Sequence, residues 1–322
     1  MSILIYNGDN LGNVFNPNVL DLSGVTQMFL YGNGGDDVFT VTDSIPVEMY
    51  GGDGNDILRL FDQNDYASGG DGNDTIFAGG GDDTIDGDAG DDTIDGGLGN
   101  DTIGGGDGDD FIAGGRGDDY ITGDAGNDII NAGNGADSVF GGTGNDVLNG
   151  AGGNDYLVGG HGNDVINGGS GDDTILGTKG HNQLSGGTGN DTLNTGDHTS
   201  TVDGGTGDDL IAARLKKGGD HTLTGGADAD TFEFVYQTSK KSADVTITDF
   251  ELGVDEFIVG GLTSAEWVEA YFAFSGAFGI DILTEVDGNA VLNIGFNDTI
   301  TFEGITEAEF EAFYLDDPLA LV

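Results

Sequence analysis

The sequence predicts an all-β chain whose body is a parallel β-roll, and three observations predict it. A nine-residue period starts at Gly69, and new units at 69, 78, 87 and every ninth residue to 204 give sixteen units through Ala212 with no insertion. A fixed short period of this kind marks stacked repeats rather than a single globular core. The eighth position of the units is aliphatic throughout: Ile76, Ile85, Ile94, Ile103, Ile112, Ile121, Ile130, Val139, Leu148, Leu157, Ile166, Ile175, Leu184, Leu193, Val202 and Ile211. The sixth position is Asp in fourteen of the sixteen units, with Asn182 and Ser200 the exceptions. A flexible acidic linker would share the composition but would not hold two phases at once.

Each unit has a glycine-rich half and a short half of the form x-U-x, with U aliphatic, as in Gly69-Gly-Asp-Gly-Asn-Asp-Thr-Ile-Phe77 and Gly141-Gly-Thr-Gly-Asn-Asp-Val-Leu-Asn149. Glycine admits the left-handed backbone of a tight turn, and the last three residues can run extended with U inward. One unit is therefore a turn plus a short strand. Two units make one coil of about 18 residues, and stacked coils build two parallel sheets at the ~4.8 Å strand spacing.

Composition narrows the function classes. The 322 residues include 64 Gly, 3 Pro and no Cys, and 59 acidic against 8 basic residues leave a formal net charge of -51. Self-repulsion on this scale opposes a compact state unless a cation neutralises it. The lack of Cys excludes disulfides, thiolate zinc sites and Cys nucleophiles. With so few dispersed cations there is no footprint for nucleic acid, and no apolar run reaches the ~18 residues of a membrane-inserted helix. A divalent metal is the natural counter-charge.

The nonapeptide Gly-Gly-x-Gly-x-Asp-x-U-x resembles the RTX calcium-binding repeat over 69–233. The resemblance implies a calcium-stabilised, right-handed parallel β-roll (a β-solenoid) that folds when it binds Ca2+. It also implies that sixth-position carboxylates and turn carbonyls hold the ions. Carried onto this chain, the metal ligands are Asp37, Asp56, Asp74, Asp83, Asp92, Asp101, Asp110, Asp119, Asp128, Asp137, Asp146, Asp155, Asp164, Asp173, Asp191, Asp209 and Asp230. About fourteen ions would then bring roughly +28 of charge.

The flanks complete a three-part organisation. Residues 1–68 are expected to form an N-terminal β cap with degenerate repeats. Gly32-Asn-Gly-Gly-Asp-Asp-Val-Phe-Thr40 and Gly51-Gly-Asp-Gly-Asn-Asp-Ile-Leu-Arg59 are recognisable units, while 41–50 and 60–68 are degenerate. The roll is expected over 69–233, interrupted at 213–224, and 234–322 as a C-terminal cap. The opening Met1-Ser-Ile-Leu-Ile-Tyr-Asn-Gly8 lacks the basic and apolar regions of a signal peptide. Residues 262–322, rich in Phe and ending Pro318-Leu-Ala-Leu-Val322, are similar to the C-terminal signal that RTX proteins present to a type I secretion apparatus. That similarity implies an extracellular or cell-surface location on a Gram-negative bacterium.

No enzyme is expected. None of the four His precedes Glu as in His-Glu-x-x-His, no Gly-x-Ser-x-Gly elbow occurs, and open turn carboxylates are not poised for acid–base work. An ice-binding array is not expected either, because only Thr143, Thr188 and Thr206 occupy the third position of the regular units. The expected role is a self-assembling extracellular component, such as a surface layer, filament or matrix. The alternative is a monomeric calcium-binding or adhesion module. One edge is irregular: His161, His181, His198 and His221 fall on it, beside Asn182, Ser200, Lys179, Lys216 and Lys217. Tolerated decay, a protein contact and a transition-metal site are the readings open for that edge.

Overall fold

A computed structural model of the chain describes residues 2–9, 11–15, 24–42, 45–215, 219–236, 244–259, 262–263, 283–295 and 298–314. It divides into two compact units, Met1–Val165 and Ile166–Val322. Each is a parallel β-solenoid.

In the first unit every coil gives one strand to each of two sheets. Thr93–Leu98 lies between Thr75–Gly80 and Phe111–Arg116, with Ile94 opposite Ile76 and Ile112. On the other sheet Thr102–Asp107 lies between Thr84–Ala89 and Tyr120–Ala125, with Ile103 opposite Ile85 and Ile121. The partners are eighteen residues apart, the coil length that the nine-residue period predicts. Each strand spans the last three positions of one unit and the first three of the next, so the chain turns at positions four to six. The eighth-position side chains face inward and are buried without exception from Ile76 to Leu157.

The coils extend to the N-terminal side of Gly69. Met28 pairs opposite Val47, Met49 opposite Ala67, and Ala67 opposite Ile85, all in parallel. The described part of 1–68 thus contributes coils to the same two sheets as the regular repeats. Leu60–Ser68 carries no glycine, yet it keeps the two inward phases, Asp65 and Ala67, both buried.

In the second unit the eighteen-residue register holds from Leu184 to Val202. The irregular stretch at 213–224 lengthens one coil without breaking the pairing, because Val202 stands opposite Leu223 and Ile211 opposite Phe232. Aromatic rings then join the aliphatic side chains of the interior. Phe250, Phe257, Phe302 and Phe310 meet with ring centroids 5.0–6.1 Å apart. An antiparallel hairpin, Leu283–Val286 with Asn289–Gly295, and the helix Glu307–Tyr314 close this end. Much of the stretch expected to carry a secretion signal, including 264–282 and 315–322, lies outside the described residues.

The turn glycines are fixed by backbone geometry. Gly144 has φ 138° and its Cα lies against the carbonyl oxygen of Gly126 one coil back, so a β-carbon would be driven into backbone. Few side chains adopt that φ. Ala151, at a second position, has φ 74° in the milder left-handed region. Gly144→Ala should therefore lower the stability of the folded protein by about 1–3 kcal/mol or more, read as a shift of the urea midpoint, whereas Ala151→Gly should be tolerated.

Candidate metal centre

All seventeen Asp residues singled out by the sixth-position phase point inward, and none is more than 2 % exposed. The same arrangement recurs from rung to rung. One carboxylate oxygen, Oδ1, accepts the backbone N–H of the sixth-position residue one coil earlier: Asp74 N–H donates to Asp92 at 2.6 Å, Asp92 to Asp110 at 2.8 Å, and Asp110 to Asp128 at 3.0 Å. On the opposite edge Asp83 donates to Asp101, Asp101 to Asp119, and Asp119 to Asp137, each at 2.8 Å. In the second unit the run is Asp173 to Asp191, Asp191 to Asp209, and Asp209 to Asp230, at 2.7–3.0 Å.

The other oxygen, Oδ2, is buried and has no hydrogen-bond partner in sixteen of these residues: Asp37, Asp56, Asp74, Asp83, Asp92, Asp101, Asp110, Asp119, Asp128, Asp137, Asp146, Asp155, Asp164, Asp173, Asp191 and Asp209. In regular units it packs against the Cα of the first-position glycine, with the first-position carbonyl of the next coil close by, as at Gly69 with Asp74 and Gly87. Leaving one buried acceptor unsatisfied costs about 1–3 kcal/mol, and more if it is charged. Among the described residues no three His, Cys, Asp or Glu side chains converge on one point. A cation here would have to be a hard one content with one or two carboxylates and several carbonyl oxygens, which is the preference of calcium.

Two further ladder members carry no glycine signature. Asp65 accepts Val47 N–H at 2.8 Å and donates its own N–H to Asp83 at 2.8 Å. Asp255 accepts Asp230 N–H at 3.1 Å, and its second oxygen takes Glu251 N–H at 2.7 Å. Asp65 sits nine residues before Asp74, so the period alone would have found it; Asp255 stands twenty-five residues after Asp230, a spacing no period contains. A second ladder runs outside the first. The fifth-position Asn or Asp accepts the backbone N–H of the fifth residue one coil later, as in Asp91 to Asn73 at 3.1 Å and Asp109 to Asp91 at 2.9 Å. This accounts for the recurrence of Asn and Asp at that position.

On the irregular edge, the three rungs in the second unit carry a different set of atoms. The Asn182 amide Nδ2 donates to the Gly177 carbonyl at 2.7 Å, and Ser200 Oγ donates to the Thr195 carbonyl at 2.9 Å. His221, 1 % exposed, accepts Ser200 N–H on Nδ1 at 3.2 Å, with Nε2 3.3 Å from the Arg214 carbonyl. Burial holds His221 below its ordinary pKa, so the neutral ring with a proton on Nε2 satisfies both contacts. The exposed His181 and His198 rings lie edge to face with centroids 6.4 Å apart. Among the described residues no third ligand joins them.

The comparisons with known proteins bear on this arrangement. The profile of the RTX calcium-binding nonapeptide repeat (4 copies) matches residues 48–76, 68–103, 104–139, 140–175 and 176–211, just over half of the chain. The chain belongs to the RTX calcium-binding repeat family. It is a calcium-binding repeat protein with a β-solenoid fold. The RTX chain is similar to the crystal structure of a hyperactive, Ca2+-dependent, β-helical antifreeze protein from an Antarctic bacterium, with 24% identity over 77% of this chain and 83% of that one and a TM-score of 0.42. It is also similar to the extracellular lipase LipA from Serratia marcescens, with 15% identity over 83% of this chain and 39% of the lipase and a TM-score of 0.21. No curated protein matches it.

Without metal the RTX ladder has a characteristic response to pH. Burial pushes Asp92 up to about 8 and Asp74, Asp83, Asp119, Asp128 and Asp209 up to about 7. It pushes Asp56, Asp110, Asp137, Asp164 and Asp230 up to about 6. The donated N–H of the neighbouring rung opposes the rise and nearby carboxylates add to it. Each pKa is raised above its unfolded value of about 3.9, so the folded state binds more protons. The stability these groups contribute is complete below about pH 4 and lost as the pH rises through 6 to 8. In chelator, far-UV circular dichroism should show β-structure increasing as pH falls from about 8 towards 5; a loss of structure over that range would contradict this.

Proposed function

We propose that this RTX chain is exported unfolded and folds outside the cell by binding calcium through its sixth-position carboxylates. The observation that carries the proposal is the set of sixteen buried Oδ2 atoms with no partner. At neutral pH the metal-free ladder must either hold protons far above the ordinary carboxylate range or carry buried, closely spaced anions, and a divalent ion shared between rungs removes both the repulsion and the missing bonds. The proposed ligands are the seventeen Asp residues from Asp37 to Asp230 already placed on the rungs, together with turn carbonyls. Export by a type I apparatus is supported by the composition of 262–322 and by a chain that needs external calcium to compact.

The role proposed for the folded protein is a self-assembling extracellular component. The acidic residues concentrate in the turns, while parts of the sheet faces are neutral and apolar. Phe111, Ile129 and Val147 stand in register on adjacent strands and are 43–49 % exposed. Their strands, Phe111–Arg116, Ile129–Asn134 and Val147–Gly152, contain no acidic residue. On the other sheet Tyr120, Phe140 and Tyr156 form a row with centroids 5.5 and 6.0 Å apart. Two apolar faces on different sheets allow open-ended rather than closed association.

Circular dichroism should change from coil to β-rich when the chelated protein at neutral pH receives millimolar calcium, and equal spectra would sink calcium-coupled folding. Negative-stain microscopy of the calcium-loaded protein should show lattices or fibres, and Ile129→Asp with Val147→Asp should disperse them. Separate particles in the parent protein would instead identify a monomeric calcium-binding module.

A further inference from the structure

The irregular edge of the 166–322 unit repeats the geometry of the calcium rungs with one change of atom. Where a regular rung puts the bare Oδ2 of Asp against the first-position glycine, Asn182 puts its Nδ2, which is the atom closest to the place a β-carbon on Gly177 would occupy, 2.8 Å from it. That nitrogen is not bare, since it donates to the Gly177 carbonyl. Ser200 Oγ makes the corresponding bond to Thr195, the first-position residue of its own unit. His221, on the lengthened coil, aims Nε2 at the Arg214 carbonyl, and its Nδ1 takes over the Oδ1 role by accepting the N–H of the preceding rung. At a regular rung two acceptors, a carboxylate oxygen and a carbonyl, need a cation between them. At these three rungs the inward side chain instead carries a proton on N or O and meets a carbonyl five to seven residues earlier in its own stretch of chain.

We propose that Asn182, Ser200 and His221 are built-in replacements for the ion: their edge closes its turns with its own hydrogen-bond donors, takes no metal, and keeps its register when metal is removed. The three are consecutive rungs, so the effect is a continuous segment rather than isolated gaps. The same device closes a rung elsewhere by backbone, because the second oxygen of Asp255 takes Glu251 N–H and Asp65 accepts a backbone N–H from Phe61. Neither of these Asp residues is among those with an unpartnered Oδ2. Asn182, Ser200 and His221 thus make a metal-independent seam beside an edge, Asp173 to Asp209, that still requires calcium.

This rests on the calcium ligation proposed above, and the experiment separates the two. Hydrogen–deuterium exchange of the full chain at neutral pH would be followed by peptide in chelator and in millimolar calcium. In chelator, 200–206 and 221–227 should exchange roughly tenfold or more slowly than 111–116 and 129–134. Fast exchange throughout overturns the seam and leaves calcium-coupled folding intact. Slow exchange throughout overturns calcium-coupled folding and the seam with it. Ion counts by native mass spectrometry give a second reading. The triple variant Asn182→Asp, Ser200→Asp, His221→Asp should bind more calcium than the parent, and an unchanged count in a folded variant refutes the proposal. Should that variant fail to fold, the converse decides: Asp128→Asn should lose calcium yet keep the calcium-loaded spectrum, while Asp128→Ala should be less stable. An Asp128→Asn protein as unstable as Asp128→Ala would overturn it.

Discussion

The regular coils among the described residues depend on a half-satisfied carboxylate. The sixth-position Asp uses Oδ1 to hold the backbone N–H of the neighbouring rung and leaves Oδ2 buried and bare. The first contact sets the register between coils, because a slip would separate each acceptor from its donor. The second makes the stack conditional on charge, because a column of buried anions is stable only when protons or cations neutralise it. The turn glycines, the inward aliphatics and the acidic turns follow from keeping this carboxylate in place at each eighteen-residue step.

The apolar contribution explains why the ladder governs folding. Each regular unit offers one aliphatic side chain to the interior, with the first-position residue and the Asp as its other inward groups. A core this thin, carried on a glycine-rich chain that loses much backbone entropy on ordering, leaves the balance to electrostatics. The C-terminal end of the second unit is built on other lines. There Phe232, Phe250, Phe257, Phe302 and Phe310 join buried aliphatics such as Ile247, Leu292 and Ile300, and ring packing adds to the core as the carboxylate ladder ends at Asp255.

Much of this was legible before any coordinates. The positions of fifteen of the seventeen carboxylates, the coil length and the inward row from Ile76 to Ile211 are consequences of period, since a residue type repeated every nine positions must meet its own kind one coil away; Asp37 and Asp230, 19 and 21 residues from their partners, were legible from the glycine-rich motif of their own units instead. Asp65 was hidden because Leu60–Ser68 lacks the glycines that advertise a unit, although its phase is intact. The stretch 213–224 read as an interruption of the register before it resumes at Gly225, and the added residues are absorbed by one longer coil because the flanking strands still find their partners at Leu223 and Phe232.

The sequence by itself determined the repeat, the family, the solenoid and the residues that would face inward, because these depend only on spacing along the chain. Tertiary structure decided what each inward atom does. The two oxygens of one Asp are equivalent in sequence, and only the stacking of coils makes one an acceptor for backbone and leaves the other without a partner. Asn182, Ser200 and His221, apparent losses of a ligand in the sequence, are donors aimed at backbone carbonyls five to seven residues earlier in the folded turn. A periodic sequence records which residue type occurs at each phase, but which atom meets which partner is set by the folded turn and the coils stacked on it.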